Sequence, residues 1–186
     1  MQNKMSIKAM IIAGLQVLGF IFYLVPTVSL SMSVSIFGQS ISESESRGVI
    51  SILNDYGMGF FGIMALIIAL LAIAIPVVMN FVPAIANNET VKQYKKVLNV
   101  IGLAAPALEL VCLFMAWGRT IGDASDAGAI LGITPDVGFT FGGVMLMLIA
   151  VAAIVLILVD TFNVKIPGVD KVVNKLDDLG NKTDAE

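Results

Sequence analysis

One acidic side chain, Glu109, lies near the middle of the third of four long apolar stretches in this chain. A carboxylate at the centre of a lipid bilayer is costly, so acidic residues there usually bind ions, relay protons or form buried hydrogen bonds. Pro106 lies three residues earlier and lacks a backbone donor, which frees a carbonyl one turn before it, near Gly102. Gln16, in the first apolar stretch, is the one strongly hydrogen-bonding side chain that we place at a similar depth.

Two hypotheses follow for these intramembrane residues. In the functional one, Glu109 binds a proton or a cation, as carboxylates do in small coupled transporters. In the structural one, Glu109 is a protonated acid that fixes the helix register through a hydrogen bond to Gln16 or to the carbonyl freed by Pro106. No Lys or Arg lies at comparable depth, so we expect no ion pair within one subunit. A transport path usually needs several polar residues in series, which favours the structural hypothesis.

The composition excludes most enzyme chemistry. Of the 186 residues, 58% are apolar and 13% charged, and the mean hydropathy is +0.93, whereas a soluble domain carries roughly a quarter charged residues. The chain has no His and a single Cys, Cys112, which rules out an internal disulfide, a Cys/His zinc site and a His-based catalytic triad. It also lacks a phosphate loop and a basic nucleic-acid surface. We therefore expect no enzymatic activity, catalytic residue, bound metal, cofactor or nucleic-acid partner.

The apolar stretches are long enough to cross a bilayer as helices, since a span needs roughly 20 residues. We place the spans at residues 9–31, 57–81, 98–118 and 140–163, with outer loops at 32–56 and 119–139 and an inner loop at 82–97. The first stretch has an alternative interpretation as a signal peptide, with Lys4 and Lys8 as its basic end. Its apolar run is long for that role, so we treat it as a span.

The basic residues set the orientation. Nine of the eleven are Lys residues at the two ends of the chain and between the second and third spans, and each outer loop has one Arg. This distribution predicts a multi-pass protein of the cell membrane with both termini cytoplasmic. The tail at 166–186 has apolar residues at helical spacing and is predicted to form a cytoplasmic amphipathic helix. Those apolar positions are Val169, Val172, Val173, Leu176 and Leu179.

A ten-residue pattern occurs twice, each time at the outer start of a span. Residues 55–64 and 136–145 share the frame Asp-x-Gly-x-x-Phe-x-Gly-x-Met. Unless the match arose by chance, it indicates two tandem helical hairpins related by a pseudo-twofold axis along the membrane normal. Small residues let helices approach closely, so we expect the second and fourth spans to pack in one subunit, or two subunits to meet, through glycines. The glycines are Gly59, Gly62, Gly138 and Gly142.

The first outer loop alternates strictly between polar and apolar residues from Thr27 to Ile36. Period two is typical of a half-buried strand, and residues 49–53 are predicted to return as a second strand after a polar stretch. The alternative is that the first helix continues to about Met32. If the strand forms, its free edge can pair with another molecule. The predicted association residues are Ser29, Leu30, Ser31, Met32, Ser33 and Val34.

In layout, with four spans and a β-structured first outer loop, the chain resembles the families of which claudin-like proteins are the best known. The likeness covers the arrangement of segments only. Trp117 and Cys112 are the only Trp and Cys, so the Gly-Leu-Trp motif and the paired Cys that mark the first loop of that family are absent. As an analogy, the layout implies self-association at a cell surface.

The sequence thus predicts an all-α membrane protein, a four-transmembrane-helix bundle of two tandem helical hairpins with a small extracellular β-hairpin in the first outer loop. The leading functional hypothesis is a non-catalytic protein that associates with itself or binds another membrane or surface protein. Its expected partners are the lipid bilayer and either a homo-oligomer or another membrane protein. One alternative is a small channel or proton/cation-coupled transporter that uses Glu109. Another is an immunity or exclusion protein against a toxin or phage component, which the sequence does not separate from the first.

Overall fold

The computed structural model describes residues 7–36, 39–81, 95–131, 133, 135–162 and 164–166. In these residues the chain is mostly helical, with two long apolar helices and a small antiparallel three-stranded sheet. The elements in chain order are α1 (Ile7–Leu24), β1 (Val28–Ile36), β2 (Gln39–Arg47), α2 (Val49–Asp55), α3 (Gly59–Phe81), α4 (Lys95–Leu131), β3 (Pro135–Phe139) and α5 (Phe141–Phe162). The predicted amphipathic tail and most of the predicted inner loop lie outside the described residues.

The first helix ends earlier than the predicted span. α1 stops at Leu24, two residues before Pro26, and β1 begins at Val28. A proline disfavours helical geometry in the residue before it, and the strict polar/apolar alternation then favours an extended chain. A β-hairpin that begins with these residues is therefore confirmed, and the alternative in which the helix continues to about Met32 is wrong.

The second strand of the hairpin is β2 and not residues 49–53. Each residue from Val28 to Ile36 lies opposite one from Arg47 back to Gln39 in an antiparallel register. The Ser/Glu alternation of β2 continues the period-two pattern of β1, whereas Val49–Asp55 forms the short helix α2. Its apolar residues Val49, Ile52 and Leu53 are buried at helical spacing. A five-residue apolar run does not by itself distinguish a strand from a helix, which is why the sequence prediction was wrong here.

The second outer loop supplies a third strand that the sequence analysis did not predict. β3 pairs with β1 in antiparallel register from Val28 opposite Phe139 to Met32 opposite Pro135, which gives the strand order β2-β1-β3. α4 is 37 residues long and continues to Leu131, well past the predicted span end at residue 118. Its outer part brings the chain up to the sheet before β3 turns back into α5.

The outer elements gather at one end of the helices. β1 follows α1, α2 precedes α3, and β3 joins α4 to α5, so the chain runs alternately towards and away from the sheet. Two of the helical segments, Val100–Ile130 and Phe141–Phe162, are long and apolar enough to cross a membrane. The apolar segments of α1 and α3, Met10–Leu24 and Gly59–Ile75, are shorter.

The helices bury small side chains against each other. Eight alanines on α3, α4 and α5 have at most 2% of their surface exposed. The largest fully buried side chains lie instead beneath the sheet and α2, where Tyr23, Leu53, Leu113 and Leu146 join one core cluster. The eight alanines are Ala65, Ala69, Ala72, Ala105, Ala116, Ala124, Ala150 and Ala153.

Candidate functional site

Gln16 on α1 hydrogen-bonds the carbonyl that Pro106 leaves without a helical partner. Pro106 lies inside α4 and has no N–H to donate to the Gly102 carbonyl four residues earlier. The Gln16 side chain donates from Nε2 to Gly102 O at 3.1 Å. A side chain at residue 102 would crowd this contact, because a Cβ there would lie 3.3 Å from Gln16 Nε2. The amide thus fixes α1 against the proline site of α4.

Glu109 lies on the same helix as Pro106, and both residues line a small cavity together with Gln16. Glu109 is 3% exposed and Gln16 is 6% exposed. The carboxyl group packs against Gly19 of α1, where a Cβ would lie 3.1 Å from Glu109 Oε2. The rest of the cavity wall is apolar and comes from all four long helices. It includes Leu15, Ala69, Ala105, Ile149, Ala150 and Ala153.

Two other polar groups near Glu109 donate to carbonyls of α3. The Tyr23 hydroxyl donates to Gly62 O at 3.2 Å, and the Cys112 thiol donates to Phe61 O at 3.7 Å. These bonds attach α1 and α4 to the outer start of α3. The structure therefore brings to one place Gln16, Pro106 and Glu109, the three residues that the sequence predicts to lie within the membrane.

The glycines of the repeated frame contact outer elements rather than one another. Gly59 packs against Asn54, and Gly62 against Ile50 and Leu53 of α2. In the second copy, Gly142 faces the Pro26 carbonyl and the Val25 side chain. Gly138 lies in β3 beside Ser29, not on a helix. The predicted packing of the second span on the fourth through these glycines is therefore wrong for the contacts within one chain.

The predicted free edge of β1 is not free where β3 lies. Ser29, Leu30, Ser31 and Met32 have β2 on one side and β3 on the other. Ser33 and Val34 extend past the end of β3 and pair with β2 alone in the described part of the chain. Among the described residues, the free long edge of the sheet belongs to β2, whose residues 41–46 are all exposed.

The two faces of the hairpin differ in character. On one face serines lie opposite serines, as in the pair Ser31 and Ser44, whose hydroxyls are 3.2 Å apart. On the other face the apolar residues of β1 lie opposite acidic residues of β2, with Leu30 opposite Glu45 and Met32 opposite Glu43. Ile41 continues this second face and is 64% exposed.

A polar cluster joins the sheet to the outer ends of the helices. Arg47 at the end of β2 donates to Asp55 at the end of α2, and this bond raises the pKa of the guanidinium. The Tyr56 hydroxyl donates to the Asp123 carboxylate on α4, and burial together with this bond raises the pKa of Tyr56 to about 12. The Arg119 guanidinium lies 5.5 Å from the centre of the Tyr56 ring.

No protein-family model, curated protein or solved structure matches this chain. Its function is therefore argued from the arrangement of its own residues.

Sequence reasoning missed several residues that build these sites. Gly19 provides the space for the Glu109 carboxyl group, and a Cβ at Gly143 would overlap the Thr27 carbonyl. Thr27 O also accepts a hydrogen bond from Thr140 N at 3.0 Å. Gly143 occupies the same position of the repeated frame as Gly62. This correspondence was the one feature of the sequence that could have indicated a close contact at Gly143.

Proposed function

We propose that the chain is a four-span membrane protein with cytoplasmic ends, and that it acts by binding another protein at the outer surface through the edge of β2. The observation that carries this proposal is the nine-residue edge of β2, which no other strand in the described part of the chain pairs with and which lies at the ends of the helices. Its strand partner β1 is fixed in the middle of the sheet.

The distribution of side-chain size supports a lipid environment around all four long helices. The helices bury alanines and glycines against each other and expose large apolar side chains. Without a hydrophobic force between helices in lipid, small residues at contacts and large residues outside are the favoured arrangement. An exposed apolar surface on this scale would be unstable in water. Examples on the four helices are Leu18 and Ile21, Ile63 and Ile67, Val111 and Phe114, and Leu148 and Val151, which are 44–61% exposed.

The edge of β2 offers an extended partner both backbone and side-chain contacts. A strand at the edge of a sheet presents a row of unpaired N–H and C=O groups, which another extended chain can use. Side chains at alternate positions then determine which chain fits. In β2 these are Ile41, Glu43 and Glu45 on one face, while serines occupy the other.

The charge of this edge disfavours a second copy of the chain as the partner. Glu43 is the central residue of β2, so two antiparallel copies in the centred register would place Glu43 opposite Glu43. A shift by two residues places Glu43 opposite Glu45 instead. Like charges directly opposite each other destabilise a strand pair. We therefore assign the edge to a partner strand with Lys or Arg at alternate positions.

A designed peptide tests this assignment. The protein is reconstituted in lipid nanodiscs, and binding of a nine-residue extended peptide with Lys at alternate positions is measured by fluorescence anisotropy. We expect the double variant Glu43→Gln/Glu45→Gln to lower the affinity by about 2- to 30-fold, since each of the two charge pairs contributes about 0.2–1 kcal/mol. Asp126→Asn is the matched control, because Asp126 is an exposed acid on α4 away from β2.

A backbone control separates strand pairing from simple charge attraction. The same peptide with alternate amides N-methylated keeps its charge but cannot form the ladder, and it should bind weakly. Equal binding of the two peptides would refute the strand-edge proposal. A stable dimer that becomes disulfide-linked through Ser44→Cys would refute the choice of partner, because it would show that β2 pairs with β2.

The membrane topology has its own test. An impermeant maleimide should label Ser42→Cys on intact cells and should label Lys182→Cys only after permeabilisation. Cys112 is buried and should stay unlabelled in both conditions. Labelling of Lys182→Cys on intact cells would contradict cytoplasmic termini.

The observations favour association over transport. Gln16 and Glu109 are the two polar side chains among the residues that line the cavity, and the others are apolar. A path for ions needs more polar groups than these two. No observation on the described residues favours the immunity or exclusion hypothesis over binding of a different partner.

A further inference from the structure

The amide of Gln16 has one satisfied end and one unsatisfied end. A carbonyl accepts and does not donate, so the contact with Gly102 O fixes Nε2 on that side. The amide oxygen Oε1 is then turned away from Gly102, and it is buried without a hydrogen-bond partner. Buried acceptors almost always have a donor in native structures, so this atom needs one.

Among the residues that line the cavity, Glu109 is the one other polar side chain that can supply that donor. Its side chain lines the same cavity as Gln16 and forms no hydrogen bond with the described part of the chain. The donors of Tyr23 and Cys112 are engaged with Gly62 O and Phe61 O. No Lys or Arg lines the cavity. If Glu109 is protonated, its O–H group therefore lies at the cavity, with no cationic side chain beside it.

The cavity is large enough for a single water molecule. Its volume is about 10 Å³, close to the smallest space that holds one water. A water in such a site needs at least two polar partners, which Gln16 Oε1 and the Glu109 carboxyl group provide. A cation that prefers oxygen ligands takes about six or more of them, and the apolar wall does not supply the rest.

We propose that this cavity binds one water molecule between Gln16 and the neutral carboxylic acid of Glu109. The Glu109 O–H donates to the water, the water donates to Gln16 Oε1, and Gln16 Nε2 donates to Gly102 O. This chain of hydrogen bonds joins the acid on α4 to the carbonyl freed by Pro106 on the same helix by way of α1. The site lies within the helices, so failure of the proposal for β2 would leave it unaffected.

Water-edited solid-state NMR of the protein in lipid tests the site. Glu and Gln are labelled with ¹³C, and the Glu109 and Gln16 side-chain carbons are assigned by their absence in Glu109→Gln and Gln16→Leu. We expect the Glu109 carbon at the shift of a neutral carboxylic acid, with magnetisation passing from water to both side chains. Ala153→Val should abolish that transfer, because Ala153 lines the cavity and a larger side chain fills it. Ala124→Val is the control, since Ala124 is buried outside the cavity.

Three outcomes would overturn the proposal. No transfer from water to either carbon in the natural sequence would show a dry cavity, in which Glu109 reaches Gln16 directly. A carboxylate shift that moves on addition of Li⁺, Na⁺ or K⁺ would show a cation site. Transfer that survives Ala153→Val in a folded variant would place the water elsewhere. The spectrum of the unaltered protein decides the first two, so the test holds even if the valine variant does not fold.

Discussion

The bond between Gln16 and Gly102 predicts an energetic coupling between Gln16 and Pro106, two residues 90 positions apart in the chain. Gln16→Leu removes the donor to Gly102 O, and in the presence of Pro106 no backbone N–H replaces it. A buried carbonyl left without a donor costs about 1–3 kcal/mol. Pro106→Ala restores an N–H four residues after Gly102, so the same Gln16→Leu substitution should then cost less by that amount.

A double-mutant cycle isolates this term, because the loss of the Gln16 amide oxygen is common to both backgrounds and cancels. Unfolding of the four proteins in mixed micelles can be followed by the fluorescence of Trp117, the only Trp, whose ring stacks on Phe139 at 5.1 Å. We expect a coupling energy of about 1–3 kcal/mol between Gln16→Leu and Pro106→Ala. Val17→Leu is the control, since Val17 is the next residue and is 39% exposed; its coupling to Pro106→Ala should stay within about 0.5 kcal/mol. Additive effects of Gln16→Leu and Pro106→Ala would refute the role assigned to Gln16.

Three further outcomes are expected. Gly143→Ala should destabilise the protein by about 2–4 kcal/mol in the same unfolding assay, because the new Cβ overlaps the backbone of Thr27 and overpacking adds to lost hydrogen bonds. The control is Gly122→Ala, which has open space around it and should be neutral or stabilising. Equal effects of the two substitutions would contradict the close contact at Gly143. The folded-state pKa of Tyr56 is about 12 against an ordinary value of 10.0, so the folded protein favours the neutral phenol. This contribution to stability is therefore complete below pH 10 and is lost as the pH rises towards 12. Tyr56→Phe should show a smaller fall in melting temperature over that range, and an identical fall would argue against the bond to Asp123. Arg47→Gln should lower stability by less than about 1 kcal/mol and only at low salt, since the Arg47 and Asp55 side chains are 39% and 50% exposed. A larger loss that persists at high salt would indicate a structural role of Arg47 beyond the ion pair.

Local patterns in the sequence were sufficient for several features of the fold. The apolar stretches predicted the four long helices, and the alternation from Thr27 to Ile36 predicted β1, because each pattern depends only on residues close together in the chain. The same patterns did not distinguish a strand from a helix at residues 49–53, which form the start of α2. They also did not predict β3, a five-residue strand whose partner lies about 110 positions earlier.

The candidate sites show the same division. The sequence alone determined that Gln16, Pro106 and Glu109 are polar or helix-disrupting residues in apolar surroundings, and that Pro106 frees a carbonyl. Only the tertiary structure decided that Gln16, and not Glu109, takes that carbonyl, since the choice depends on how α1 lies against α4.

The outer sheet was decided in the same way. Composition and periodicity determined that a polar, acidic hairpin follows the first helix, but they left open which of its edges is free. Insertion of β3 beside β1 covers Val28–Met32 and leaves the acidic edge of β2 exposed. The physical reason is that side-chain periodicity is set by neighbours in the chain, whereas strand order is set by which distant segments the packed helices bring together.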